Sequence, residues 1–208
     1  GLEFYIKKYS FYVRLNKNGC FMEIRDALLT MERTFRCHSG FHDNESSFCQ
    51  RLNLRDRINH VNPCCEYMKN SSMRMHRECK EFDSDMLRAR FNEGHPYAFK
   101  ICQAGVLELA LPVENGGRKS GVVFLGPFIP DKSWFAREDL MIHPACHYPD
   151  PTVTDIINSN FRIFKESEEA DFLNFAIMFK ESLEKRAETS DLPHEILSPG
   201  RKIMYLIN

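Results

Sequence analysis

The chain has 208 residues, 43% of them hydrophobic, and a formal net charge of −1. That is enough apolar material for a sizeable core and too little positive charge to bind nucleic acid through composition alone. No run of about 18 apolar residues occurs, so no membrane span is read, and the opening Gly-Leu-Glu-Phe lacks the basic-then-apolar layout of a secretory signal.

In chain order, residues 1–21 carry β-formers (Phe4-Tyr5-Ile6 and Phe11-Tyr12-Val13) ahead of an Asn-Lys-Asn-Gly turn, and are read as an arm or short hairpin. Residues 22–34 are predicted to be helical, with Ile24, Leu28, Met31 and Phe35 recurring at helical spacing. Residues 35–42 are read as a strand ending in the Asp43-Asn44-Glu45-Ser46 turn. From 48 to 63 the chain is polar and irregular, and 64–69 reads as a short helical turn.

The clearest helix is predicted over 72–91. Ser71 or Ser72 can cap it, Gly94 and Pro96 stop it, and Met75, Cys79, Phe82, Met86 and Ala89 form its apolar stripe. Next come two apolar runs around a Gly116-Gly117 turn, a hairpin signal spanning 97–128. Strand alternation puts Leu107, Leu109 and Leu111 on one face and Val106, Glu108 and Ala110 on the other, so one side is packed and the other carries a carboxylate. Gly121 and Gly126 bracket the second strand and let another backbone or a ligand come close.

Beyond the hairpin, residues 131–151 form a loop holding Trp134 and the cluster His143, Cys146 and His147. Helices are predicted over 155–164 and 168–186. The second is apolar over so broad a face that it is expected to be buried on two sides, against its own sheet and against a partner subunit in a homodimer. Residues 187–199 read as a polar linker, and 200–208 as the start of a further amphipathic element.

Eight cysteines could form disulfides, but a chain with a core of its own does not need such staples. The adjacent Cys64-Cys65 and the helical Cys79 read as reduced thiols of a cytoplasmic protein. No Cys-x-x-Cys occurs, which removes the strongest evidence for a zinc ribbon or redox dithiol.

One ordered set of motifs resembles the PocR-type sensory domain. It runs from Asn62-Pro63-Cys64-Cys65-Glu66-Tyr67-Met68-Lys69, through Cys79 on its helix, to Cys102-Gln103-Ala104-Gly105-Val106-Leu107-Glu108 with Pro112-Val113, and closes on the stretch from Gly121 to Gly126. The resemblance covers about residues 22–186. It implies a PAS-like α+β fold, an antiparallel sheet flanked by helices with a long C-terminal helix. It also implies a bacterial regulator that senses a small hydrocarbon derivative such as a diol, polyol or sugar, without a cofactor. DNA would be contacted only through a downstream AraC-type helix-turn-helix module, whose first helix residues 201–208 resemble. Gln103 stands where many members carry His, and the His143–His147 loop and the N-terminal arm have no counterpart in the family pattern.

Several residues are candidates for the site. Cys65, Cys79 and Cys102 either rim one pocket as polarisable thiols or serve as small buried hydrophobes. Glu108 either accepts hydroxyl hydrogen bonds from a guest or forms a salt bridge, for example to Arg118 or Lys100. Gln103, His76 and Asp83 add polar groups, while Phe124 and Trp134, with Phe99 and Tyr148, offer apolar walls or core. His76, Cys79 and Asp83 on one helix face, and His143, Cys146 and His147 on the loop, are ligand types that support a rival reading as a metal or thiol-redox sensor. A pure dimerisation scaffold is the third reading. No Gly-x-Ser-x-Gly, P-loop or dinucleotide motif is present, and the chain is not read as an enzyme.

Overall fold

Two long strands joined at Gly116-Gly117 make a ribbon whose two faces are covered by different helices. A computed structural model describes residues 24–44, 48–58, 60, 62–146 and 151–189. The predicted N-terminal arm, nearly all of the predicted linker, the 200–208 segment, His147 and Tyr148 lie outside these residues.

The elements run α1 (Ile24–Phe35), β1 (His38–Asp43), α2 (Phe48–Arg51), a 3-10 turn, α3 (Pro63–Ser71), α4 (Met73–Glu81), a π-helical turn (Phe82–Met86) and α5 (Leu87–Asn92). They continue as β2 (Ala98–Ile101), β3 (Leu107–Asn115), β4 (Arg118–Pro130), β5 (Met141–Ile142), α6 (Pro151–Asn160), β6 (Ile163–Phe164) and α7 (Glu169–Thr189). The sheet order is β1-β4-β3-β2-β5, with β6 added to β4. Strands β1, β4, β3 and β2 are antiparallel to their neighbours in this order, as expected. The two-residue strands β5 and β6 join in parallel and make the sheet mixed.

The alternation along β3 divides the interior. Leu107, Leu109 and Leu111 are fully buried against Leu28 and Met31 of α1 and Phe172, Ala176 and Phe179 of α7. Each such side chain is worth about 1.5–3 kcal/mol of burial. On the opposite face Ala98, Ala110 and Phe124 meet Phe82, Leu87 and Phe91. Farther along that face Cys102, Ala104 and Val106 meet Cys64 and Met68 of α3 and Val153 and Ile157 of α6. The result is helices on both sides of one sheet.

Three sequence expectations shift. The region 48–63 contains the short helix α2 and a 3-10 turn, and the predicted turn at 64–69 is a nine-residue helix. Asn62 caps that helix by accepting from the Cys65 amide, and Pro63 occupies its first turn, where no amide donor is needed. The helix predicted over 155–164 begins at Pro151, and Ile163–Phe164 is strand. On α7 the broad apolar face is used within the chain: it lies on β3, and Phe175 meets Phe35 of α1 with ring centroids 5.5 Å apart. Met178 on its outer side is 64% exposed.

The largest correction concerns residues 72–91. The π turn inserts one residue into the helical repeat, so the apolar stripe changes phase. Phe82 and Asp83 turn inward and are followed by Leu87 and Phe91. Met86, assigned to the stripe by spacing, is 49% exposed, and Ala89 is exposed as well. We expect Leu87→Ala to cost about 2–5 kcal/mol of stability and Met86→Ala within about 0.5 kcal/mol, measured by urea unfolding. The reverse ranking would mean that the helix runs through in unbroken phase.

Candidate functional site

The antiparallel register sets Lys100 of β2 directly opposite Glu108 of β3, on the face away from the leucines. Neither reaches solvent: Lys100 is 0% and Glu108 3% exposed. Lys100 Nζ lies 2.9 Å from Glu108 Oε2 and donates to Asp83 Oδ1 at 2.5 Å. The Phe124 ring centroid lies 4.9 Å from the ammonium. Burial alone would depress the Lys100 pKa, but the Asp83 and Glu108 carboxylates outweigh it and hold the ammonium well above its ordinary range.

Asp83 reaches the cluster because the π turn rotates it inward. Glu108 fits because residue 126 is glycine: a Cβ there would stand 2.9 Å from Glu108 Cγ and 2.9 Å from the Leu107 carbonyl oxygen, at a φ of +154. At Gly121 a Cβ would lie 2.1 Å from the His42 carbonyl oxygen, so that glycine admits strand β1. Both close approaches expected of these glycines are therefore present, and both are made by the protein itself.

Two histidines complete the cluster. His60 Nδ1 is 3.4 Å from Glu108 Oε1, and its Nε2 is 3.9 Å from Asp83 Oδ2. Its ring lies 5.3 Å from that of His42 and 4.4 Å from that of Phe124. Burial first, and Lys100 second, push the His60 pKa well down, and burial lowers that of His42. Both imidazoles are therefore neutral at pH 7.

Beside the charges lies a hollow of about 20 Å³ under α4, rimmed by Cys64, Cys65, Cys79 and Cys102 with Met68 and Met75. Gln103 and His76 also border it. Gln103 Nε2 donates to the Met75 carbonyl at 2.6 Å and so ties α4 down, while His76 is exposed. A second hollow, about 10 Å³, is bordered by Glu108, His60, Asn62 and Phe124. A water needs at least about 10–15 Å³, so neither hollow admits a diol unless the cover moves. Burial pushes the Cys64 thiol up to about 12 and that of Cys79 to about 11, and raises Cys65 and Cys102 further. These are neutral thiols, polarisable in packing and weak as nucleophiles.

Most of the predicted site residues therefore gather in one region. Cys65, Cys79, Cys102, Gln103 and His76 border the larger hollow, Glu108 and Phe124 the smaller, and Asp83 links the cluster to the helix. The glutamate faces inward, but it is already paired with Lys100, the partner that the competing salt-bridge reading named. Trp134 is placed elsewhere: it is fully buried on the leucine face, 4.8 Å from the Phe99 ring centroid, and its Nε1 donates to the Phe164 carbonyl. His143 packs against Phe82 with its ring tilted by 60°, accepts from the Ala145 amide at 3.0 Å and approaches the Glu78 carbonyl at 3.4 Å, so it fastens the loop to α4. It does not join Cys146 or the His76–Cys79 pair as a ligand set. Among the described residues, the ligand-type atoms that gather within 4.8 Å of one another belong to His42, His60 and Asp83.

The family model described as a sensory domain found in PocR matches residues 53–185, more than half of the chain. The chain belongs to the PocR sensory-domain family. The match includes the thiol-rimmed hollow, Asp83, Lys100 and Glu108, together with β2–β4 and most of α7. Comparisons with curated proteins and with solved structures find no match. A sensory family points to ligand sensing in regulation and to a non-catalytic role. Among the described residues no helix is long and apolar enough to cross a membrane.

The neutral histidines set a pH dependence. In the unfolded chain His42 and His60 take up protons near pH 6.5, whereas in the fold their pKa values lie lower. Below that pH the unfolded state binds more protons, so stability is full above about pH 7 and is lost as pH falls through 6, by up to about 1.4 kcal/mol per pH unit per histidine. Urea unfolding at pH 5.5 and 7.5 should show this loss, and His60→Gln should flatten it. An equal slope in the variant would remove His60 from the account.

Proposed function

We propose that the chain senses a small polar hydrocarbon derivative, of the diol, polyol or sugar class, held between the sheet and α4. The observation that carries this reading is the meeting of an apolar, thiol-rimmed hollow with buried, paired charges beneath one loosely held helix. None of the residues of α4 is buried. Its inward side rests on half-buried Met75 and Cys79 and on the Gln103 tether. When α4 swings out, the two hollows merge. The thiols and methionines then face the guest's carbon chain, while Glu108 accepts and Lys100 donates to its hydroxyls.

Occupancy reaches α7 through β3. Glu108 faces the guest, and its neighbours Leu107 and Leu109 face the helix. Near the strand's end the Glu114 amide donates to Glu184 of α7 at 2.8 Å. A guest with higher affinity for the opened state shifts the position of α7. The chain that follows α7 carries the signal into an AraC-type DNA-binding module, whose opening residues 201–208 resemble in sequence. The neutral thiols weigh against the thiol-redox alternative, which needs thiolates.

A thermal-shift screen of short diols, polyols and sugars should find at least one that stabilises the protein, by about 2.7 kcal/mol at a hundredfold excess over its Kd. Glu108→Gln, which keeps the shape, should remove that shift. A panel with no stabilising compound would sink the guest class. A compound that stabilises wild type and variant equally would sink Glu108 as its anchor.

A further inference from the structure

We infer that His42, His60 and Asp83 form a site for a first-row divalent transition metal of the zinc class. The site lies beside the smaller hollow and away from the thiols; it shares Glu108 with the guest proposed above but does not rest on that reading.

His60 carries the argument. It is 7% exposed, and its Nε2 reaches no hydrogen-bond partner among the described residues. The tautomer that directs Nδ1–H toward Glu108 Oε1, 3.4 Å away, leaves Nε2 with a bare lone pair. That lone pair faces a carboxylate oxygen, Asp83 Oδ2, at 3.9 Å. Two electron-rich atoms at this distance repel unless an electrophile stands between them.

His42 supplies the third ligand, with its ligand atom within 4.8 Å of both others. A tetrahedral ion with bonds of about 2.0–2.2 Å draws its ligands to roughly 3.3 Å apart, a contraction that side-chain rotation can provide. Two imidazoles and one carboxylate suit zinc, cobalt or nickel, whereas magnesium and calcium prefer all-oxygen sets. The outer contacts have the form that orients metal-bound histidines: Glu108 stands behind His60 Nδ1, and Lys100 holds the other oxygen of Asp83. Lys69, whose ammonium donates to the His60 carbonyl at 3.1 Å, is half-buried and lies on the backbone side of this residue. His42 is half-buried too, which gives an ion a route in.

Cobalt(II), then zinc, titrated into the metal-stripped 208-residue chain tests this. The expected result is 1:1 uptake at micromolar metal, visible d–d bands of a four-coordinate ion, and no thiolate-to-cobalt charge transfer in the near ultraviolet. His42→Ala and His60→Gln should each weaken binding at least about 100-fold, and Glu108→Gln about 10- to 100-fold. Circular dichroism of the metal-free variants verifies folding. The half-buried His42 keeps the test open should His60→Gln not fold. Absence of stoichiometric uptake, a thiolate band, or undiminished affinity in His42→Ala would each overturn the assignment.

Discussion

One ammonium holds the two halves of this domain's inner layer together. Lys100 rises from β2 into the buried layer, 0% exposed, and meets Glu108 from the neighbouring strand and Asp83 from the π turn. Stripping three charges of solvent costs several kcal/mol per ion, and close mutual contact recovers it only in good geometry. Removing one partner from such a group costs about 3–5 kcal/mol, because a bare charge stays behind. The cluster thus acts as a conditional latch: the helix segment above the sheet remains docked while its aspartate has a cation to meet. An incoming group that competes for Lys100 or Asp83 alters that condition directly.

The sheet carries consequences from one face to the other. Charge and thiols occupy one side of β3, and leucines packed on α1 and α7 occupy the other. Because successive residues of a strand alternate, a displacement of Glu108 is felt at Leu107 and Leu109 within one peptide unit. A close-packed core does not deform gradually, so on the sensing proposed above a small shift at the cluster would be expressed as a choice between packings of α7. This arrangement suits a sensory family.

Much of this was legible in the amino-acid order wherever a local period decides the outcome. The two-residue alternation separated Leu107, Leu109 and Leu111 from Glu108, and the ordered cysteine motifs pointed to the family and to the residues around the larger hollow. What escaped depends on the fold. Nothing in residues 72–91 announces a π turn, since it is Asp83's pairing with Lys100 and the packing of Leu87 and Phe91 that favour the extra residue. His60 lies in a stretch with no period at all, and His42 in a strand whose orientation is set by its pairing with β4. Lys100 sits in an apolar run where side-chain type alone does not say whether it snorkels or is buried; its place opposite Glu108 is set by the turn from Cys102 to Gly105, which divides that run into β2 and β3. Trp134 stood between pocket wall and core for the converse reason, and it is core: aromatic composition does not tell which face of a sheet a loop residue will cover.

The account rests on α4 being the part that yields, since the closed hollows are too small for a guest and the sheet beneath is fully packed. Local openings of this kind are seen directly by native-state hydrogen exchange. At pH 7 the amides of Met73–Glu81 should exchange at least about tenfold faster than those of Leu107–Asn115, through an opening that leaves the strand protected. Protection of the helix equal to that of the strand, lost only with global unfolding, would contradict a hinged cover and the sensing mechanism built on it.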